Sequence, residues 1–383
     1  MSESYFPLGI AEGPAFLGRH EEIRRLSANI EQGRHTLLLS PRRYGKTSLA
    51  RHVIYGMNDI FCEIDLFLAI DEYAVETRLT RGIESIIQKL SHKKEKWLQL
   101  LLDFFKKSDQ TWTIGFKGAQ LQLKPNHHSD VPGNILDLFN ALETMLSKQQ
   151  KKAVVFIDEF QEITKIKTGK AIEGAIRHFA QASKQVVFIF SGSSRHLLLD
   201  MFNNRSRPLY KLCDWITLSR LDAKLYQSYL NKIAQKTLGS PLTEAVFDEI
   251  VTLSQCHPEG IYALCGQLWL LENNKKSFEK QDVQAAWKKH ISEHIKQTRT
   301  MLSANSTGQM KVLILIAQGV TQQLTGKDAQ KKLDLTSPSI VKALQTLEAE
   351  DLIERNSEGA YIIIDPVVKS SLLELYADYF ELC

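Results

Sequence analysis

Cysteine is scarce. The 383 residues hold five, Cys62, Cys213, Cys256, Cys265 and Cys383, an odd number with no C-x-x-C pair. This excludes a disulfide framework or a paired-cysteine zinc site as the organising principle, and a reducing cytoplasmic compartment is expected. Long apolar runs are also absent. The longest, such as Ala153–Ile157 and Val312–Ala317, fall far short of the ~20 residues that span a bilayer. No membrane association is expected. The stretch Met1–Ala15 has neither a basic n-region nor an apolar h-region, so no secretory signal is expected. Excess charge is missing too, with 48 basic residues against 44 acidic ones and a net +4. That balance does not announce a nucleic-acid binder. No repeat of fixed period and no low-complexity tract interrupts the chain.

What is present is an alternation of short apolar runs and helical patterns. Thr36–Ser40, Ile60–Leu66, Ala153–Ile157 and Gln185–Phe190 are near-continuous apolar or β-branched runs, as parallel strands covered on both faces require. Helical stretches between them include Ser48–Gly56 and Gly169–Ser183. The α/β alternation predicts a doubly wound parallel-sheet core. One or two amphipathic helices reach to Lys107. Trp112–Leu123 then alternates with two glycines, predicting a β-hairpin inserted around 78–130, ahead of a helix over Ile135–Gln149. After Leu221 the strand runs stop. Asp222–Leu238, Thr243–Ser254, Glu259–Leu271 and Lys280–Leu302 read as helices, with turns at Gly239-Ser240-Pro241 and Asn273-Asn274. From Asn305, helices over Gly308–Ala317, Thr325–Leu333 and Ser339–Asp351 precede a hairpin around Asn356–Gly359 and a last helix, Pro366–Phe380. Three helices and a hairpin form a winged-helix pattern. The expected organisation is a core over 1–220, an all-α lid over 221–304 and a winged helix over 305–383.

The strongest chemical signal is Ser40-Pro41-Arg42-Arg43-Tyr44-Gly45-Lys46-Thr47-Ser48, between the first strand and the first core helix. It matches G-x-x-x-x-G-K-[ST] except that Ser40 replaces the first glycine. Backbone N–H groups from Arg43 to Ser48 would wrap phosphate oxygens at a helix N-terminus. Gly45 permits close approach, Lys46 reaches the β- and γ-phosphates, and the Thr47 hydroxyl binds Mg²⁺. A basic helix-capping turn is the plainer alternative. Val154–Glu159 is an apolar strand ending in two acids. Asp158 would hold Mg²⁺ and Glu159 would polarise an attacking water, whereas Gln161 and Glu162 read as solvated. Ser193 and Arg195, in Phe190–Arg195, follow the next strand, where ligands of doubly wound sheets sit. Ser193 is placed as a γ-phosphate sensor and Arg195 as a charge contact, against the alternative of a Ser/Gly turn. Arg205 and Arg207 read either as an arginine finger or as a solvated loop.

Taken together, Phe16-Leu17-Gly18-Arg19, Pro41–Leu49, Phe156–Phe160 and Ser191–Arg195 resemble the prokaryotic and archaeal ATPase family within the STAND/AAA+ group of P-loop NTPases, relatives of the origin-recognition ATPases. The resemblance spans nearly the whole chain. It implies ATP or ADP with Mg²⁺ as ligands. It also implies that Phe16, Leu17, Gly18 and Arg19 contact adenine, and that His257 and Pro258, in Cys256-His257-Pro258-Glu259-Gly260, touch the nucleotide from the lid. Cys256 stands where the family often has glycine. Without the resemblance, His257 is a helix-capping residue.

The tail argues about partners. Residues 305–383 hold seven basic residues against eleven acids, a balance of −4 that leaves +8 on residues 1–304. The third tail helix carries one base, Lys342. Phosphate binding needs clustered Lys and Arg, so a protein contact for the winged helix is favoured over duplex DNA. The expectation is a cytoplasmic, Mg-dependent ATP-binding and ATP-hydrolysing switch that drives the winged helix, with room for an oligomer. An ATP-regulated DNA-loading protein and an ATP-binding signalling scaffold with little turnover stay open.

Overall fold

The computed structural model describes residues 5–57, 60–90, 112–117, 120–125, 130–271, 276–356 and 358–379. They form two compact units. One gathers the described parts of Met1–Gly18, Arg43–Gly45 and Ser219–Cys383, and the other gathers those of Arg19–Arg42 and Lys46–Leu218.

The second of these is the α/β unit. In chain order it contains α1 (His20–Glu31), β1 (Thr36–Leu39), α2 (Lys46–Gly56), β2 (Ile60–Asp65), α3 (Glu72–Leu90), β3 (Trp112–Lys117), β4 (Gln120–Pro125) and α4 (Val131–Gln149). Then come β5 (Ala153–Asp158), a 3₁₀ turn (Phe160–Lys165), α5 (Gly169–Ala182), β6 (Val186–Ser191), α6 (Arg195–Asn203) and β7 (Asp214–Thr217). The five-stranded sheet runs β2-β5-β6-β1-β7, and each neighbouring pair is parallel. All six residues of β6 are buried, as are the first five of β5, which is why their apolar runs are continuous. Phe188 and Phe190 of β6 pack with Phe139 and Phe179 of the flanking helices, with ring centroids 5.0–6.0 Å apart. Fully burying each such side chain contributes about 1.5–3 kcal/mol.

Most expected elements are present, with shifted ends. α4 starts at Val131, because the Asp130 side chain caps it by accepting from the Gly133 N–H and Pro132 pre-sets its first turn. The antiparallel pair β3–β4 is the anticipated hairpin. Its tip, Gly118-Ala119, and the helical stretch read between 91 and Lys107 lie outside the described residues, as do the Asn273-Asn274 turn and the last helix's end at Phe380. The apolar pattern misses β7, an edge strand of four residues in which only Ile216 is buried. The reading of Arg207 as a finger or solvated residue is also corrected. Its guanidinium pairs with the fully buried Glu173, whose pKa burial pushes up to about 7 against the opposing pull of Arg207. Arg205 is exposed.

The other unit is helical for most of its length: α7 (Ala223–Thr237), α8 (Glu244–Ser254), α9 (Pro258–Trp269), α10 (Lys280–Leu302), α11 (Thr307–Ala317), α12 (Lys327–Leu333), α13 (Ser337–Ala349), β8 (Ile353–Arg355), β9 (Tyr361–Ile363) and α14 (Pro366–Leu375). It contains two separate apolar cores. One joins Ala15 to residues between Tyr226 and Ile291. The other runs from Leu302 to Leu372 and unites α11–α13, the antiparallel pair β8–β9 and α14. The N-terminal segment belongs to the first core. Phe6 packs on Trp269 at 5.0 Å between ring centroids, and the Tyr229 hydroxyl donates to the Tyr5 carbonyl at 2.6 Å. Among the described residues no helix is long and apolar enough to cross a membrane.

Candidate functional site

The carboxyl ends of β1, β5 and β6 carry the chemistry of the α/β unit. The registers Leu38↔Ser191 and Ile157↔Phe190 bring Ser40, Asp158 and Ser191 to the same edge of the sheet. The strand order reverses at β1, whose neighbours are β6 and β7. Such a reversal opens a crevice beyond the strand ends.

Ser40 leads out of β1 fully buried. It keeps a negative φ, whereas Gly45 sits at φ +88. The glycine is therefore needed at position 45 and not at position 40. Lys46 begins α2 and is 7% exposed. Its ammonium donates to the Ser40 carbonyl at 2.9 Å, the Ser40 hydroxyl at 3.3 Å and the Pro41 carbonyl at 2.9 Å. The first N–H groups of α2 lack partners within the helix and carry its positive dipole end. Pro41 is buried, Arg42 exposed, Thr47 half-buried and Ser48 buried.

The structure brings Thr47 and Asp158 together across 111 residues of sequence. The Thr47 hydroxyl donates to Asp158 Oδ2 at 2.7 Å. Asp158 Oδ1 accepts from the Ser191 hydroxyl and, at 3.0 Å, from the Glu159 N–H. Three donors hold this carboxylate in one orientation. One hydroxyl and one carboxylate form a hard oxygen set, which suits Mg²⁺.

Glu159 and Ser193 form a second cluster. Glu159 adopts a left-handed backbone, φ 52° and ψ 39°, a strained conformation for a non-glycine residue that costs about 1–2 kcal/mol. Its Oε2 accepts from the Ser193 hydroxyl at 2.7 Å, the Ser193 N–H at 3.3 Å and the Gln161 amide at 2.5 Å. Gln161 also donates to Ser193 Oγ at 3.3 Å. The expectation that Gln161 is solvated is therefore wrong. It is 2% exposed and ties Glu159 to Ser193. Gly192 has a packing reason as well, because a Cβ there would collide with the Gln161 side chain. Glu162 is half-buried and pairs with Lys165 at 2.7 Å. Arg195 begins α6 and is half-buried.

The remaining sequence-predicted residues are placed as follows. Arg19, at φ 62°, is buried and pairs with Glu22 at 3.0 Å. Phe16 and Leu17 are half-buried, and Leu17 packs on the core around Tyr226. Arg43, Tyr44 and Gly45 group with the helical unit. In that unit Arg43 pairs with Glu259 at 2.8 Å, and the Tyr44 ring meets the His257 ring edge-on at 5.2 Å. Pro258 is the first residue of α9, and His257 caps it, Nδ1 accepting from the Gly260 N–H at 3.2 Å. Sequence reading missed Arg220 altogether. Its guanidinium donates to the Tyr44 hydroxyl at 3.2 Å, the Gln255 carbonyl at 2.9 Å and the Ile364 carbonyl at 2.8 Å. A lone arginine after a strand gives no periodic or motif signal, so nothing in the sequence singles it out.

Comparison with known proteins decides the family. The family of ATPase domains found predominantly in Archaea matches residues 16–264, more than half of the chain. The chain belongs to this family. The ATPase also shares its fold with a Walker-type ATPase of Pyrococcus abyssi, at 21% identity over 96% of this chain and 99% of that one, with a TM-score of 0.70. The ORC2 protein of Aeropyrum pernix, in its ADPNP–ADP complexes, aligns at 13% identity over 95% and 94% of the two chains, with a TM-score of 0.53. No curated protein matches the chain. The parallel sheet of this ATPase thus has the fold of that Walker-type ATPase.

The capping histidine of the ATPase sets an acid limit. Burial above all, then the nearby Arg220 and Arg43, push the His257 pKa down to about 3. The neutral ring is needed, because Nδ1 must accept from the Gly260 N–H. An unfolded histidine titrates at about 6.5. The folded pKa is depressed, so the unfolded chain binds the extra proton first. The contribution is complete above about pH 6.5 and falls as the pH drops toward about 3. At pH 5 the expected loss is about 2 kcal/mol relative to pH 7. His257→Asn keeps a capping side chain without the titration. Its urea midpoint should fall less between pH 7 and pH 5 than that of the parent, and identical slopes would refute the assignment.

Proposed function

We propose that the chain is a Mg-dependent ATPase switch in which nucleotide state is coupled to a C-terminal winged-helix module. The observation that carries this reading is the convergence of Thr47 on Asp158, with Glu159 held beside them by Ser193 and Gln161. Lys46 and the loop N–H groups would hold the phosphates, Thr47 and Asp158 would hold Mg²⁺, and Ser193 and Arg195 would contact the terminal phosphate. When bound, Mg²⁺ neutralises charge on the phosphate oxygens. Glu159 accepts a proton from the attacking water. Family resemblance alone assigns the base to Phe16, Leu17, Gly18 and Arg19 and a lid contact to His257 and Pro258. A division into three modules, 1–220, 221–304 and 305–383, is supported by the presence of three apolar cores, while Ala15 joins the second core and Leu302 the third.

Arg220 supports the coupling, since one guanidinium binds Tyr44, Gln255 and the end of β9 near Ile364. For the tail, α11–α13 and β8–β9 read as the winged helix. The exposed face of α13 offers Ser339, Val341, Lys342 and Gln345, with a single positive charge. That face suits a protein partner better than a phosphate backbone.

The test is Mg-dependent nucleotide binding. The parent chain is expected to bind ATP more tightly with Mg²⁺ than with EDTA. Thr47→Ala should lose that Mg²⁺ enhancement by about 10- to 100-fold, the worth of one charge-assisted contact. Isothermal titration of the two proteins measures it. An undiminished enhancement in Thr47→Ala would remove the metal site from this position.

A further inference from the structure

One group of ligand-forming side chains is left unused by the nucleotide chemistry. It lies in the helical unit, on the wall of a cavity of about 410 Å³. There α10 presents His290, Glu293 and His294, in the spacing His-x-x-Glu-His. At 3.6 residues per turn, these three side chains leave the helix on one side within a single turn. One nitrogen from each imidazole and one carboxylate oxygen all lie within 4.8 Å of one another. Ligands around a tetrahedral ion at about 2.1 Å stand about 3.4 Å apart. Small rotations about the side-chain bonds therefore close the set.

Two further contacts orient these groups. His294 Nδ1 lies 2.9 Å from the His290 carbonyl oxygen. A carbonyl only accepts, so Nδ1 carries the proton and Nε2 keeps the lone pair that a metal takes. Gln267 donates its amide N–H to Glu293 Oε2 at 3.2 Å, from α9. Metal-ligating imidazoles and carboxylates are usually held in this way by outer partners. The His290 ring is buried beside Trp287, with centroids 5.7 Å apart, and stands 4.4 Å from the His294 ring.

We propose that His290, Glu293 and His294 bind one divalent transition-metal ion, zinc by preference, with a coordination position open to the cavity. Two nitrogens and one carboxylate oxygen are a donor set that zinc takes up. Imidazoles also separate this site from the Thr47–Asp158 pair, whose oxygens favour Mg²⁺. Glu259 lines the same cavity and brings a second carboxylate to its wall.

The experiment uses the full-length chain stripped with chelator, free of nucleotide and Mg²⁺. Titration with Co²⁺ is followed by visible absorption, then by displacement with Zn²⁺, and metal content is measured after dialysis. One retained equivalent per chain is expected. Glu293 is exposed, so Glu293→Gln should fold as the parent does and weaken binding at least tenfold. His294→Ala should retain no metal while keeping the parent's circular dichroism. Asp158→Asn, which alters the other carboxylate site, should keep the equivalent. The proposal is overturned if the parent retains no metal or if the equivalent survives both α10 substitutions. It is also overturned if Asp158→Asn abolishes the equivalent, or if intense thiolate-to-cobalt bands show that cysteine holds the ion.

Discussion

Glu159→Gln is expected to bind Mg·ATP within a few-fold of the parent and to hydrolyse it about 10²- to 10⁴-fold more slowly, the usual worth of a general base. The geometry separates the two effects. Three donors, the Ser193 hydroxyl, the Ser193 N–H and the Gln161 amide, converge on one oxygen, Oε2. They orient the carboxylate without consuming Oε1 in those same bonds, so under the proposed role Oε1 would be the oxygen that takes a proton from water. A glutamine keeps the size and most of the packing but cannot accept that proton. Single-turnover hydrolysis beside equilibrium binding distinguishes the outcomes. Equal single-turnover rates in parent and variant would mean that Glu159 is not the base, and would favour a nucleotide-binding scaffold with little turnover.

How far the sequence reveals this cluster depends on how each residue is used. β1, β5 and β6 are legible because sheet positions covered on both faces demand unbroken apolar runs, and Asp158-Glu159 stands out as the abrupt end of one. β7 is illegible for the opposite reason. As an edge strand it buries only Ile216, and its Asp214 and Thr217 are exposed. Gln161 is illegible because its burial is satisfied by partners 2 and 32 residues away in sequence, Glu159 and Ser193. A polar residue among acids has the pattern of a solvated turn until the 3₁₀ segment folds it under. Arg207 misleads in the same way, since its partner Glu173 sits on α5 and leaves no local mark. The Ser40 departure from the glycine pattern has a local explanation. Its negative φ requires no glycine, and its carbonyl and hydroxyl both receive the Lys46 ammonium.

That ammonium makes Lys46→Ala the most damaging single change expected in the α/β unit, and it acts through two separable routes. In the chain as described, Nζ satisfies the Ser40 and Pro41 carbonyls in a buried setting. Truncation leaves those acceptors without their donor, at a cost of about 1–3 kcal/mol. For a unit of this size that is a fall of about 2–4 °C in Tm per kcal/mol. The second route is through the ligand. A cation beside two phosphates contributes about 1.5–3 kcal/mol to binding in a single charge-assisted bond, and more where several form, so affinity for ATP should fall by about 10²-fold or beyond. Thermal shift reads both routes in one experiment. The parent should gain about 2.7 kcal/mol of stability when Mg·ATP stands at a hundred times its Kd. Lys46→Ala should start lower and gain almost nothing at the same concentration. A lowered starting Tm with the full ATP-induced gain would make Lys46 a loop strut and not a phosphate ligand. An unchanged start with no gain would show that Ser40 and Pro41 find other donors and that the phosphate role stands alone.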